Sequence, residues 1–177
     1  MTTHNLYAAL AARFPARPDA VLLETEDGTT VTYDAMRTLS ARMAEALRQQ
    51  GAEPGDRVAA QVEKSPAALA LYLACLRGGF VYLPLNTAYQ PAEIAYFLGD
   101  ATPSVFVCRP ESIAALQPHA DAAGVARVLT LDANGGGTFA DAAAAAEPRD
   151  TVHASAVDDF AIIIYTSGTT GRSKGAM

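Results

Sequence analysis

Hydrophobic and polar positions along the chain change period several times, and each change marks an element. At residues 5–14, Leu6, Leu10 and Phe14 recur at a spacing of four, one face of a short helix closed off by Pro15 and Pro18 and expected to pack as a lid or edge element. Residues 20–24 and 29–32 are short runs on either side of Asp27-Gly28; that dipeptide tolerates the positive φ of a tight turn, which predicts a hairpin. Thr32 can then cap a long helix whose apolar stripe is Met36, Leu39, Met43 and Leu47 and whose left-handed stop is Gly51.

Beyond a Glu53-Pro54-Gly55-Asp56 turn the pattern alternates. Strands are predicted at residues 57–62, 80–85, 105–108 and 127–131, and helices at 67–77, 91–98 and 113–123. Ser65-Pro66 supplies a capping hydroxyl and a first-turn proline. The helix that follows is apolar nearly all round, as buried helices are. Such alternation implies an α/β fold: a mostly parallel sheet flanked by helices on both faces. Asn134 and three glycines form a turn, and the alanine run 142–146 reads as a surface excursion that buries little. Residues 161–165, continuously apolar and β-branched, suit a central strand buried on two sides. The chain thus divides into residues 1–56 (helix, hairpin, long helix) and 57–177 (the alternating unit).

At 177 residues, half of them apolar, the chain can bury a core without disulfides or metals. A net charge of −6 with no basic block argues against nucleic-acid or anionic-membrane partners. Cys75 and Cys108 lie in apolar runs with no zinc or redox spacing and read as buried thiols. No leader pattern or apolar stretch of about twenty residues is visible, so a soluble cytoplasmic protein is expected. His4, His119 and His153 are scattered and suggest no metal site. Asp158-Asp159 reads as solvated strand entry, Asp56-Arg57 as a turn with an ion pair, and Tyr82, Tyr89 and Tyr96 as packing.

Chemistry concentrates at the carboxyl end. In Thr166-Ser167-Gly168-Thr169-Thr170-Gly171-Arg172-Ser173-Lys174-Gly175, the glycines let successive backbone N–H groups point inward as an anion-binding nest. The hydroxyls add donors, and Lys174 adds a mobile charge. A solvated Ser/Gly turn is the bland alternative; a buried strand leading directly into a ten-residue pattern favours phosphate binding. The spacing Gly168-x-x-Gly171-x-x-Lys174, with no Ser or Thr after the lysine, separates it from a Walker loop.

The string IYTSGTTGRSKG resembles the phosphate-loop signature of the adenylate-forming superfamily: acyl-CoA synthetases, peptide-synthetase adenylation domains and luciferases. TYDAM, GAEPGDRVAAQVEKS and LACLRGGFVYLPLNTAYQPAEIAYFLGDATPSVFV resemble its N-terminal region in order and spacing. Within the superfamily, RGGFVYLPLNTAY followed by AEIAYFLGDA is most similar to malonyl-CoA synthetases. The resemblance implies ATP-dependent activation of a small carboxylic acid, malonate, to an acyl-adenylate and then to acyl-CoA, with Mg2+ and with CoA as co-substrate. Thr166, Ser167, Gly168, Thr169, Thr170 and Gly171 would wrap the ATP phosphates, and Lys174 would stabilise charge on departing pyrophosphate. Arg172 receives no role.

Superfamily members are several times longer. The resemblance therefore implies an incomplete adenylation domain, inactive by itself, whose partners are the remainder of that domain and a small C-terminal domain. The acyl pocket, the adenine site, the magnesium-binding acid and the adenylation lysine would lie there. No residue here is identifiable as the cation that a malonate pocket needs. Two rival readings are a non-catalytic nucleotide-binding module and a peptide-synthetase adenylation domain.

Overall fold

The computed structural model describes residues 4–166 and 174–177. The chain begins with α1 (Leu6–Ala11), a hairpin of β1 (Val21–Glu24) and β2 (Thr30–Thr32), and the long α2 (Tyr33–Gln49). Thr32 caps α2 by accepting from the Ala35 amide at 3.1 Å. Then follow β3 (Arg57–Gln61), α3 (Pro66–Gly78), β4 (Val81–Pro84), α4 (Pro91–Ala101), β5 (Val105–Cys108), a 3₁₀ turn, α5 (Ile113–Ala122), β6 (Arg127–Thr130) and α6 (Thr138–Ala145). The last elements are β7 (Ile164–Thr166) and β8 (Lys174–Ala176).

Strands β3 to β6 pair in parallel in the order β4-β3-β5-β6. Parallel neighbours need crossovers, and the crossover helices bury both faces of the sheet. Alternation along the strands divides the core accordingly. Val58, Ala60, Val105 and Val107 face α2, α3 and α6, meeting Met36, Met43, Leu71 and Phe139. Ala59, Leu83, Phe106 and Cys108 face α4 and α5, meeting Ile94, Phe97, Leu98 and Leu116. The expected α/β class is the one observed. Both thiols are buried; burial pushes Cys75 far up and Cys108 up to about 11, so each stays protonated at neutral pH.

Four expectations need correction. In α1 the buried side chain is Tyr7, while Leu6 and Leu10 are exposed. The helix has only six residues, and Asn5 fixes its rotation by capping Ala8 and donating to the Leu76 carbonyl at 2.8 Å. The alanine run is not an excursion: Phe139, Ala143 and Ala146 are buried against α2, where small side chains permit close approach. Arg42 closes that helix by donating to the Ala144 and Ala146 carbonyls. Arg57 forms no pair with Asp56; it caps α4 through the Ala101 and Thr102 carbonyls, and Asp56 closes its own turn on the Glu53 amide.

The fourth concerns residues 161–165, which lie outside β4 rather than in the sheet centre. Ile162 bridges Tyr82 in parallel, with Tyr82 N–H donating to the Ala161 carbonyl and Ile163 N–H to the Tyr82 carbonyl. Ile164 is 47% exposed. An apolar run reports the character of a strand's faces but not its place in the strand order, which tertiary pairing decides.

Arg77, in the last turn of α3, is fully buried, which the sequence pattern did not single out. Its guanidinium donates to the Tyr7 hydroxyl, the Arg37 carbonyl, Ser40 Oγ, the Arg149 carbonyl and the Asp150 carboxylate, at 3.0–3.3 Å. It also lies 4.7 Å from the centre of the Tyr7 ring. One side chain thus fastens α1, α2 and the segment leaving α6 onto α3. Arg77→Ala is expected to cost about 3 kcal/mol or more in urea unfolding, through lost packing and orphaned buried acceptors. Asp150→Ala, at a side chain 76% exposed, should cost under about 1 kcal/mol. Similar losses in both variants would move the weight from the buried hydrogen bonds to the ion pair.

Gly137 combines φ +113° with an ideal Cβ position only 2.5 Å from the Thr130 carbonyl oxygen, whereas Gly28, at φ +82°, has open space around it. Gly137→Ala should therefore destabilise by about 2–4 kcal/mol and Gly28→Ala by about 1 kcal/mol. Paired denaturation curves read the difference directly.

Candidate functional site

Because residues 161–163 run parallel to β4, β7 arrives at the carboxyl edge of the sheet, together with the ends of β3, β4 and β5. Open α/β sheets bind ligands along this edge, where connections diverge to opposite faces. Here the divergence falls at β3, since α3 returns on one face and α4 on the other. The neighbouring loops are held rigidly. Gln61 Nε2 donates to the Asn86 and Tyr89 carbonyls at 3.0 and 3.2 Å, and Arg109 pairs with Glu63 at 2.9 Å. A cleft of about 620 Å³ opens beside them, lined by residues such as Glu63, Lys64, Asn86 and Thr87.

Strands β7 and β8 form an antiparallel ribbon in the register Ile164↔Ala176, Tyr165↔Gly175 and Thr166↔Lys174. Two of the sequence-derived phosphate residues, Thr166 and Lys174, therefore face each other across the base of the loop, both exposed. Ser167, Gly168, Thr169, Thr170 and Gly171 lie outside the described residues, as does Arg172. Gly175 leaves room in the ribbon: a Cβ there would lie 3.0 Å from Ile163 Cγ2 and 3.7 Å from the Tyr165 ring.

Tyr165 is the residue that sequence reasoning missed. It is 9% exposed, packs its ring at a tilt against Phe97 at 4.6 Å and meets Tyr96 edge-on at 6.3 Å. Its hydroxyl donates to the Asp100 carboxylate. Burial first, and the carboxylate second, push the phenol above its ordinary pKa, so it remains a donor throughout the neutral range. The available signal was an aromatic residue at the end of an aliphatic run, immediately before the loop. Tyr89 also stacks on Phe97, at 4.9 Å, and Tyr82 on Tyr72, at 5.2 Å, in keeping with packing roles.

Among the described residues no three His, Cys, Asp or Glu side chains converge as metal donors. Asp159 is occupied in accepting from the Ala156 amide at 2.8 Å. A second cavity, of about 550 Å³, lies away from the loop between α2, α3 and α6; Leu39, Met43 and Ala140 line it, and its cation, Arg42, is engaged with α6. Among the described residues no helix is long and apolar enough to cross a membrane.

The chain is 44% identical to MatB from Rhodopseudomonas palustris, solved with ATP bound, with a TM-score of 0.93 over 99% of this chain and 35% of that one. It is 39% identical over 153 residues to a feruloyl-CoA synthase of an Amycolatopsis species, covering 85% of this chain and 28% of the relative. It is 35% identical over 176 residues to tyrocidine synthase 3 of Brevibacillus parabrevis, covering 99% of this chain and 2% of the relative. The chain thus spans about a third or less of the length of these relatives. Residues 9–177 match the AMP-binding enzyme model, and this places the chain in the AMP-binding enzyme family, the adenylate-forming enzymes.

Proposed function

We propose that this chain forms the ATP-phosphate-binding part of an enzyme that activates malonate, first to an acyl-adenylate and then to malonyl-CoA. In the first step a malonate carboxylate oxygen bonds to the α-phosphorus of ATP and the bond to pyrophosphate breaks. In the second the CoA sulfur, losing its proton, bonds to the acyl carbon and AMP leaves. Negative charge builds on the departing pyrophosphate. Thr166 and Lys174, paired across the ribbon, would meet it with a hydroxyl and an ammonium, and the residues between them would add backbone N–H donors.

The observation that carries this reading is the pairing of Thr166 with Lys174 at the mouth of a loop on the carboxyl edge of the sheet, in a chain of the AMP-binding family. Malonate as the acid is supported by the likeness to MatB, the malonyl-CoA synthetase among the neighbours, and by the RGGFVYLPLNTAY segment. Identity to MatB, 44%, and to the feruloyl-CoA synthase, 39%, exceeds the 35% to tyrocidine synthase 3, which favours a thioester of CoA over a peptide-synthetase role. The remainder of the adenylation domain is the partner that would cover the exposed Phe160 and Ile164.

The test is ATP–pyrophosphate exchange by the enzyme that contains these residues, with a panel of acids. Malonate should drive exchange; preference for a long-chain fatty acid or an amino acid would remove the substrate assignment. Lys174→Ala should slow exchange about a hundredfold while shifting the thermal midpoint by no more than about 2 °C, because Lys174 is exposed and outside the core. Parallel losses of folding and activity would make the loop a structural element.

A further inference from the structure

We propose that Asp100 is a positioning residue for the nucleotide loop, acting through Tyr165. This rests on the phosphate-loop reading and adds to it the group that holds the loop's entry strand in place.

Three observations converge on Asp100. It stands in the last turn of α4, where the helix dipole disfavours a carboxylate, so local helix energetics do not account for it. The end of that helix is immobilised: Arg57 donates to the Ala101 carbonyl, the Thr102 carbonyl and Thr102 Oγ1 at 2.7–2.9 Å, and Thr102 closes the helix in the left-handed conformation. Asp100 thus stands on a held stretch of backbone, and its exposed carboxylate receives the Tyr165 hydroxyl. Phe97, three residues earlier on the same face of α4, holds the Tyr165 ring.

Tyr165 directly precedes Thr166, and across the ribbon it pairs with Gly175, next to Lys174. Beyond this ribbon, the backbone pairing recorded for the entry segment is with Tyr82, at residues 161–163. Aromatic packing sets the depth of Tyr165, but a ring can slide and turn about its stacking contact. The hydroxyl–carboxylate hydrogen bond removes that freedom and fixes where Thr166 and Lys174 sit relative to the sheet edge. Holding donors in place before the ligand arrives reduces the ordering cost of binding.

The experiment measures MgATP affinity of the enzyme that contains these residues by titration calorimetry, together with amide hydrogen exchange at residues 164–166 and 174–176. Asp100→Ala and Tyr165→Phe, which keeps the ring, should each weaken MgATP binding about tenfold. Exchange should accelerate in those six residues and stay unchanged in α2 and α3. Asp100→Asn, whose amide oxygen still accepts from the phenol, should restore affinity to within about threefold. Unaltered affinity in Asp100→Ala and Tyr165→Phe, or no rescue by Asp100→Asn, overturns the proposal. So does faster exchange spread evenly over the fold, which would mark a purely structural bond. Failure of the unmutated enzyme that contains these residues to bind MgATP would overturn the phosphate-loop reading instead, and the role of Asp100 in nucleotide binding would fall with it.

Discussion

Parallel pairing of β3 with both β4 and β5 is the constraint from which the rest follows. A parallel neighbour can be reached only by a crossover, the crossovers are helices, and they must cover both faces of the sheet. Every strand of the sheet then ends on the same edge. The segment feeding β7 joins β4 in the same direction, so it too delivers its loop there. The position of Thr166 and Lys174 at this edge is a consequence of strand direction.

Long-range polar contacts turn that topology into a fixed geometry. Arg77 gathers α1, α2 and the 149–150 segment onto α3, and Asn5 ties the chain start to Leu76 and Ser155. Through these contacts the connection between α6 and β7 is held along its length; His153 N–H, for instance, donates to the Arg77 carbonyl at 2.8 Å. A buried guanidinium is costly to desolvate and is tolerated because several acceptors surround it. Those acceptors come from α1, from α2 and from the 149–150 segment, so the same bonds that surround the charge also set the spacing between elements.

The site is built in the same way. Its chemistry, hydroxyls and a lysine around glycines, is local, but its placement depends on Tyr165 lying between Phe97, Tyr96 and Asp100. All three partners come from α4, whose far end Arg57 of β3 secures. The central strand and the loop are thus connected through one helix.

Local signals in the sequence determined the elements: Thr32 and Ser65 as caps, Asp27-Gly28 as the hairpin turn, and the alternating apolar runs as a parallel α/β sheet. The expectation of phosphate chemistry in the loop also rests on local signals, because glycine, hydroxyl and lysine lie within a few residues of one another. Tertiary structure alone decided which side of α1 is buried, that the alanine run packs on α2, that residues 161–163 join the edge beside β4, and that Arg57 caps α4 instead of pairing with Asp56. It alone brought Asp100 to Tyr165. The physical reason is range: propensity, capping and periodicity depend on neighbours a few positions away, whereas strand order, helix rotation and the partner of a buried charge depend on residues dozens of positions distant, which only the folded chain brings together.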